Sequence, residues 1–192
     1  VATIMWAKRK QTGFTIVELL IVIVVIAILA SITVVAFNGV QARAQDSHMR
    51  SAMNQLEKAI LRWHVSSGER PRGGWSSTVG VSGNNCVDGS GGWVFSGAYP
   101  CALEDILLTQ QLIPSGFTHS LPPNKEYNSA NHGRYSVMFY PCGSTGRYAL
   151  YYHLRSPSAE DTASITAAEA ASCPTAPRAT YMMRAAKILS FS

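Results

Sequence analysis

Hydrophobic and polar positions fall into three successive patterns along the chain. Phe14 to Phe37 is a 24-residue stretch whose one charge is Glu18, and Leu19 to Ala30 contains no polar side chain. As an α-helix rising about 1.5 Å per residue it covers roughly 36 Å, enough to cross a hydrocarbon core of about 30 Å with some tilt. A transmembrane helix is predicted. After Gly39 the pattern becomes amphipathic. Met49, Met53, Leu56, Ile60 and Trp63 recur at spacings of four and three and so share one helical face. Arg43, Arg50, Glu57, Lys58 and Arg62 fall elsewhere, and Asp46 with Arg50 is read as an i,i+4 ion pair. Gly68 followed by Pro71 ends the pattern. The two patterns join into one predicted helix from about Thr15 to Ser66, roughly 78 Å long. A single domain cannot bury such a rod throughout. Its second half can pack on a sheet through the Met49 to Trp63 stripe, while its first half needs lipid or other copies of itself.

The third pattern is that of a small domain. Residues 67–101 hold nine of the fifteen glycines and read as a long loop, with room for a short strand near Gly92 to Phe95. Leu103, Ile106, Leu107 and Leu112 predict a short helix ending before Pro114. Two aromatic and β-branched runs, Arg134 to Tyr140 and Arg147 to Leu154, predict a β-hairpin around a turn containing Pro141, Gly143 and Gly146. Residues 156–178, rich in Ser, Ala, Thr and Pro, are expected to form a loop with at most one helical turn. The segment from Ala179 adds a final strand. The fold class is therefore α+β, a long N-terminal helix packed on a small antiparallel sheet. No internal repeat is evident.

Composition changes this picture little. The formal charge is +5, but Lys8, Arg9 and Lys10 precede the apolar run, and without them the chain keeps 13 basic and 11 acidic residues. That balance does not argue for a phosphate-binding surface, and a nucleic-acid partner is left open. The same three bases set orientation, because the far flank begins with Asn38, Gly39 and Gln41. The positive-inside rule places the N-terminus in the cytoplasm and everything after Phe37 outside. A secretory signal peptide is a poorer fit, since its apolar region is about 7 to 15 residues long and carries no carboxylate.

Four cysteines, Cys86, Cys101, Cys142 and Cys173, lie on the exported side with no CxxC pair. They read as two disulfides. Of three possible pairings the favoured one is a local Cys86 to Cys101 bridge with Cys142 to Cys173 tying the Ser/Ala-rich loop to the hairpin. The histidines at 48, 64, 119, 132 and 153 show no metal-ligand spacing, and neither a metal site nor a cofactor is expected. There is no GxSxG elbow, P-loop or GxGxxG. Ser90 in "VDGSGG" reads as a turn residue. Glu104 with Asp105, and Glu160 with Asp161, are sequence neighbours that do not share a helix face, so neither makes a catalytic dyad. No enzyme is predicted.

The segment "KRKQTG" followed by "FTIVELLIVIVVIAILASI" resembles a type IV prepilin or related pseudopilin. A short basic leader ends in Gly13, and Glu18 is the fifth residue after it. The resemblance implies a leader over residues 1–13, cleaved between Gly13 and Phe14 by a membrane-embedded prepilin peptidase, with N-methylation of Phe14. Translation from Val1 or from Met5 gives such a leader. It further implies a transmembrane and filament-core helix at 14–38, an amphipathic half at 39–66 and a disulfide-containing pilin head at 67–192. Glu18 would serve assembly by meeting the Phe14 amine of a neighbouring subunit, although four residues along one helix also bring the chain's own amine within reach. A carboxylate at mid-membrane costs up to about 3 kcal/mol, so a cation made by cleavage would account for its presence.

The expected life history is a single-pass membrane protein that passes through a membrane assembly platform into an extracellular homo-oligomeric filament. Adhesion, motility or DNA uptake are the functions implied. The alternative is a minor tip pilin or a type II secretion pseudopilin acting as a binding module. One departure from the family is that Val34, Val35 and Ala36 stand where a proline is common, leaving Asn38 and Gly39 as the helix-weak point.

Overall fold

The computed structural model describes residues 13–68, 91–95, 103–127, 133–143 and 146–191. Helix α1 runs Ile16–Ser67 and continues through Asn38 and Gly39. It ends on Gly68, whose φ of 70° is the left-handed conformation glycine adopts without strain. The Gly68 N–H donates to the His64 carbonyl at 2.9 Å. Two structural units meet within α1, one up to Gln41 and one from Ala42 onward. Every described residue up to Gln41 is exposed.

From Ala42 onward, α1 buries Met49, Ala52, Met53, Leu56, Ala59, Ile60 and Trp63, the stripe read from the sequence with its two alanines added. The stripe packs against a four-stranded antiparallel sheet in chain order: β1 Gly92–Trp93, β2 Val137–Cys142, β3 Arg147–Tyr152 and β4 Ala185–Ser190. Side-chain alternation sends Val137, Phe139, Tyr148, Leu150 and Tyr152 toward α1. Phe139 and Tyr148 stack with ring centroids 5.0 Å apart. Met53, Leu56 and Ile60 are wholly buried, each contributing about 1.5 to 3 kcal/mol. A short helix, α2 at Leu103–Thr109, adds Leu103 and Leu107 to the same core. Its buried Glu104 accepts the Thr118 N–H at 3.1 Å and the Thr118 hydroxyl at 3.0 Å.

The opposite face of the sheet is covered as well. Trp93, Met138, Ala149 and Tyr151 pack with Ile165, Ala168 and Met183, and a disulfide joins Cys142 to Cys173. The favoured Cys86 to Cys101 bridge lies outside the described residues.

Three expectations need correction. The loop predicted over 156–178 instead contains a 12-residue helix, α3 at Ala159–Ala170, followed by the short α4 at Ala176–Ala179. A capping box starts α3: the Asp161 N–H donates to the Ser158 hydroxyl, and the Asp161 carboxylate accepts the Ser158 N–H at 2.7 Å. Five alanines in α3 give strong helix propensity with almost no apolar periodicity, so the pattern was hidden in composition. Pro141, assigned to the turn, lies within β2 opposite Tyr148. The described part of β1 pairs with Met138 and Phe139 alone, so among the described residues no strand pairs with β2 at Pro141 on that side.

The Asp46 to Arg50 ion pair is replaced by longer-range partners. Asp46 is buried and accepts the backbone N–H groups of Arg155 and Ser156, each at 2.8 Å. Arg50 turns to Asp161 instead, at 2.7 Å. Two N–H groups leaving β3 need an acceptor away from water, a stronger demand than that of a solvated ion pair.

Candidate processing and assembly site

Gly13, Phe14 and Thr15 precede α1 in irregular conformation, and Phe14 is 83% exposed. A Cβ added at Gly13 would meet no atom within 4 Å. The chain's own packing therefore makes no demand for glycine there. Thr15 and Glu18 close the helix start reciprocally. The Thr15 N–H donates to Glu18 Oε2 at 2.8 Å and the Thr15 hydroxyl to the same oxygen at 2.7 Å. The Glu18 N–H points back to Thr15 Oγ1 at 3.3 Å. This is a Thr-x-x-Glu capping box, which serves N–H groups that the first helical turn leaves without carbonyl partners. With the leader attached, the nitrogen of Phe14 is an amide and carries no charge. The carboxylate takes its hydrogen bonds from Thr15.

Beyond Glu18 the surface is apolar on every side. Ile16, Leu20, Ile23, Ile26, Leu29, Ile32 and Phe37 are all more than half exposed. The segment is long and apolar enough to cross a membrane. Its two later hydroxyls close on the helix itself, Ser31 donating to the Ile28 carbonyl at 2.7 Å and Thr33 to that of Ala30 at 2.9 Å. No polar atom of these side chains then needs water, which is the requirement for a helix in lipid or among apolar helices.

The structure thus brings Gly13, Phe14 and Glu18 together at one helix start, while Cys142 and Cys173 belong to the head. Thr15 was missed as a partner of Glu18. Its signal was present, a Thr three residues before a Glu at the edge of an apolar run. Asp46 and Arg50, which tie α1 to the segment after β3 and to α3, carried no such signal.

A short polar start, a carboxylate in a capping box and a bare apolar helix ahead of a sheet-containing head define a class: a pilin-like α+β protein with an N-terminal helix made for apolar surroundings. The prokaryotic N-terminal methylation motif matches residues 8–34. The type IV major fimbrial protein FimA of Dichelobacter nodosus is 34% identical over 82 residues, covering 43% of this chain and 50% of that protein. A fimbrial protein of Neisseria meningitidis serogroup B is 35% identical over 72 residues, 38% of this chain and 42% of the relative. The type IV major pilin protein PilE of Neisseria gonorrhoeae is 32% identical over 79 residues, 41% and 46% of the two chains. The chain spans half the length, or less, of these relatives. No solved structure matches it. The chain thus carries the prokaryotic N-terminal methylation motif and, over about two fifths of its length, is similar to type IV major pilins and fimbrial proteins.

Proposed function

We propose that the chain is a prepilin, a structural subunit of a type IV pilus. Residues 1–13 are its leader, removed by a prepilin peptidase that cuts between Gly13 and Phe14 and methylates the new amine. The observation that carries this reading is the bare apolar helix with its single carboxylate at the fifth position after Gly13. The open space around Gly13 supports it too, because a glycine that the fold does not require fits an enzyme's demand for a thin, accessible backbone.

Before processing, the head is exported and the helix spans the membrane with the basic leader on the cytoplasmic side. After processing, the helices of many copies pack into a filament core, and apolar burial at about 25 cal/mol per Å² supplies most of the stability. Repeating one heterologous contact without closure gives a fibre. Cleavage turns the Phe14 nitrogen into a cation, so Glu18 can exchange its Thr15 hydrogen bonds for the amine of a neighbour and set axial register.

Mass spectrometry of the mature protein is the test. A methylated Phe14 at the terminus is expected, and an intact leader would overturn the reading. Glu18→Ala should insert and be cleaved normally yet assemble poorly; wild-type filament yield from this variant would remove the register role. Abundance in sheared filaments separates a major subunit from a scarce tip subunit.

A further inference from the structure

In the head, a cleft of about 560 Å³ opens between α1, the end of β3, β4 and the start of α3. Arg50 and Asn54 reach it from α1, Tyr152 from β3, Lys187 from β4, and Glu160 and Ser164 from α3. Its charges largely neutralise one another. Arg50 pairs with Asp161 at 2.7 Å, and Lys187 with Glu57 at 2.7 Å. Three groups remain without a hydrogen-bond partner among the described residues: the Tyr152 hydroxyl, the Asn54 amide and the Glu160 carboxylate. Tyr152 is the informative one. The residue is 5% exposed and its ring belongs to the core under α1, yet no fully enclosed polar side-chain atom of the described residues lacks a partner. Its hydroxyl is therefore open to solvent through the cleft. Burial pushes the phenol up to about 12, so the hydroxyl keeps its proton and can both donate and accept.

We propose that this cleft binds a saccharide unit through its hydroxyls. The amide and the phenol each donate and accept, whereas the carboxylate accepts alone. A vicinal diol offers donors and acceptors in the same pattern. An ammonium ligand, with donors only, would leave the amide N–H groups and the phenol O–H unmatched, and a phosphate would face the Glu160 carboxylate. Arg50 and Lys187 are already paired, so an anionic ligand would also have to compete with bonds already formed. The proposal concerns the head alone and stands whether or not the chain polymerises.

The test uses the full chain in polyoxyethylene detergent micelles, which contain no sugar. Glucose, galactose, mannose and N-acetylglucosamine are titrated separately, with n-butylamine and inorganic phosphate as controls, while NMR follows Tyr152 and Asn54. Saturable shifts from at least one sugar are expected in the millimolar range. Tyr152→Phe, which keeps the ring, and Asn54→Ala, on the exposed side of α1, should each weaken binding about three- to tenfold. An unchanged melting temperature shows that the Phe variant folds, and the Asn54 variant stands in if it does not. No saturable shift from any of the four sugars would overturn the proposal. So would wild-type affinity in both variants, or tighter binding of n-butylamine or phosphate than of every sugar.

Discussion

From Thr15 to Thr33, the polar side chains at the start of α1 close on neighbours three residues away, Glu18 with Thr15, Ser31 with Ile28 and Thr33 with Ala30. From Ala42 onward, the same helix makes bonds spanning 109 to 130 residues: Asp46 to Arg155 and Ser156, Arg50 to Asp161, Glu57 to Lys187. One segment carries its own hydrogen-bond closure and buries nothing, while the other is tied to a particular sheet. The difference teaches how one helix can serve two purposes. A self-closed apolar segment can exchange lipid for neighbouring helices without leaving a polar group unsatisfied. A segment whose polar groups depend on distant partners keeps one set of neighbours.

The sharpest way to separate the two segments is to weaken the head alone. Reducing the Cys142 to Cys173 disulfide, or replacing both cysteines with alanine, releases a constraint across a separation of 31 residues. The head should lose about 3 to 4 kcal/mol, read from denaturant unfolding followed by near-UV circular dichroism. Far-UV signal from the apolar segment in micelles should persist through that transition. Next in size is a matched pair of substitutions on one helix. Leu56→Ala removes a wholly buried side chain and should cost about 2 to 5 kcal/mol. Leu20→Ala removes one that is 54% exposed and should leave the head's unfolding within about 0.5 kcal/mol of wild type. Equal losses from the two would break the comparison.

Acid offers a smaller and graded test, because the head holds two groups whose titration opposes folding. Burial pushes the His153 imidazole below its ordinary value of 6.5, outweighing the hydrogen bond between Nδ1 and the Met182 carbonyl at 3.0 Å. Its folded value is depressed, so the unfolded chain binds the proton first and stability falls as pH drops below about 6.5. For Asp161, burial favours the neutral acid, but hydrogen bonds from Arg50 and Ser158 prevail and hold it below its ordinary value of 3.8. Ionised Asp161 therefore stabilises the head above that value, and the gain is lost as pH falls further. Melting temperature against pH should show two descending steps. His153→Gln should flatten the upper step and Asp161→Asn the lower one.

How legible each region was follows the same division. The apolar run and the Met49 to Trp63 stripe were readable because their periods come from the chain itself, and the hairpin because aromatic runs alternate around glycines. Helix α3 was not, since alanines carry propensity without period, and its capping box was the overlooked cue. Asp46 was misread for a different reason: local spacing offered Arg50, but the fold supplied two backbone N–H groups from more than a hundred residues away. The Tyr152 cleft was equally illegible, because it joins four elements that sequence order separates.

Thr15→Ala gives the smallest effect and tests the self-closure of the apolar segment most directly. Glu18 Oε2 takes two hydrogen bonds from Thr15, one from the backbone N–H and one from the hydroxyl. Alanine keeps the first, removes the second and deprives the Glu18 N–H of its acceptor. The expected cost is about 1 kcal/mol, confined to the first helical turn. By hydrogen exchange in micelles, amides from Ile16 to Leu19 should open about fivefold more often, while those from Met49 to Trp63 keep their wild-type rates. Thr15→Ser retains the hydroxyl and should restore protection. A Thr15→Ala change that also lowered the head's melting temperature would mean the two segments are energetically coupled, and that the closure of one supports the packing of the other.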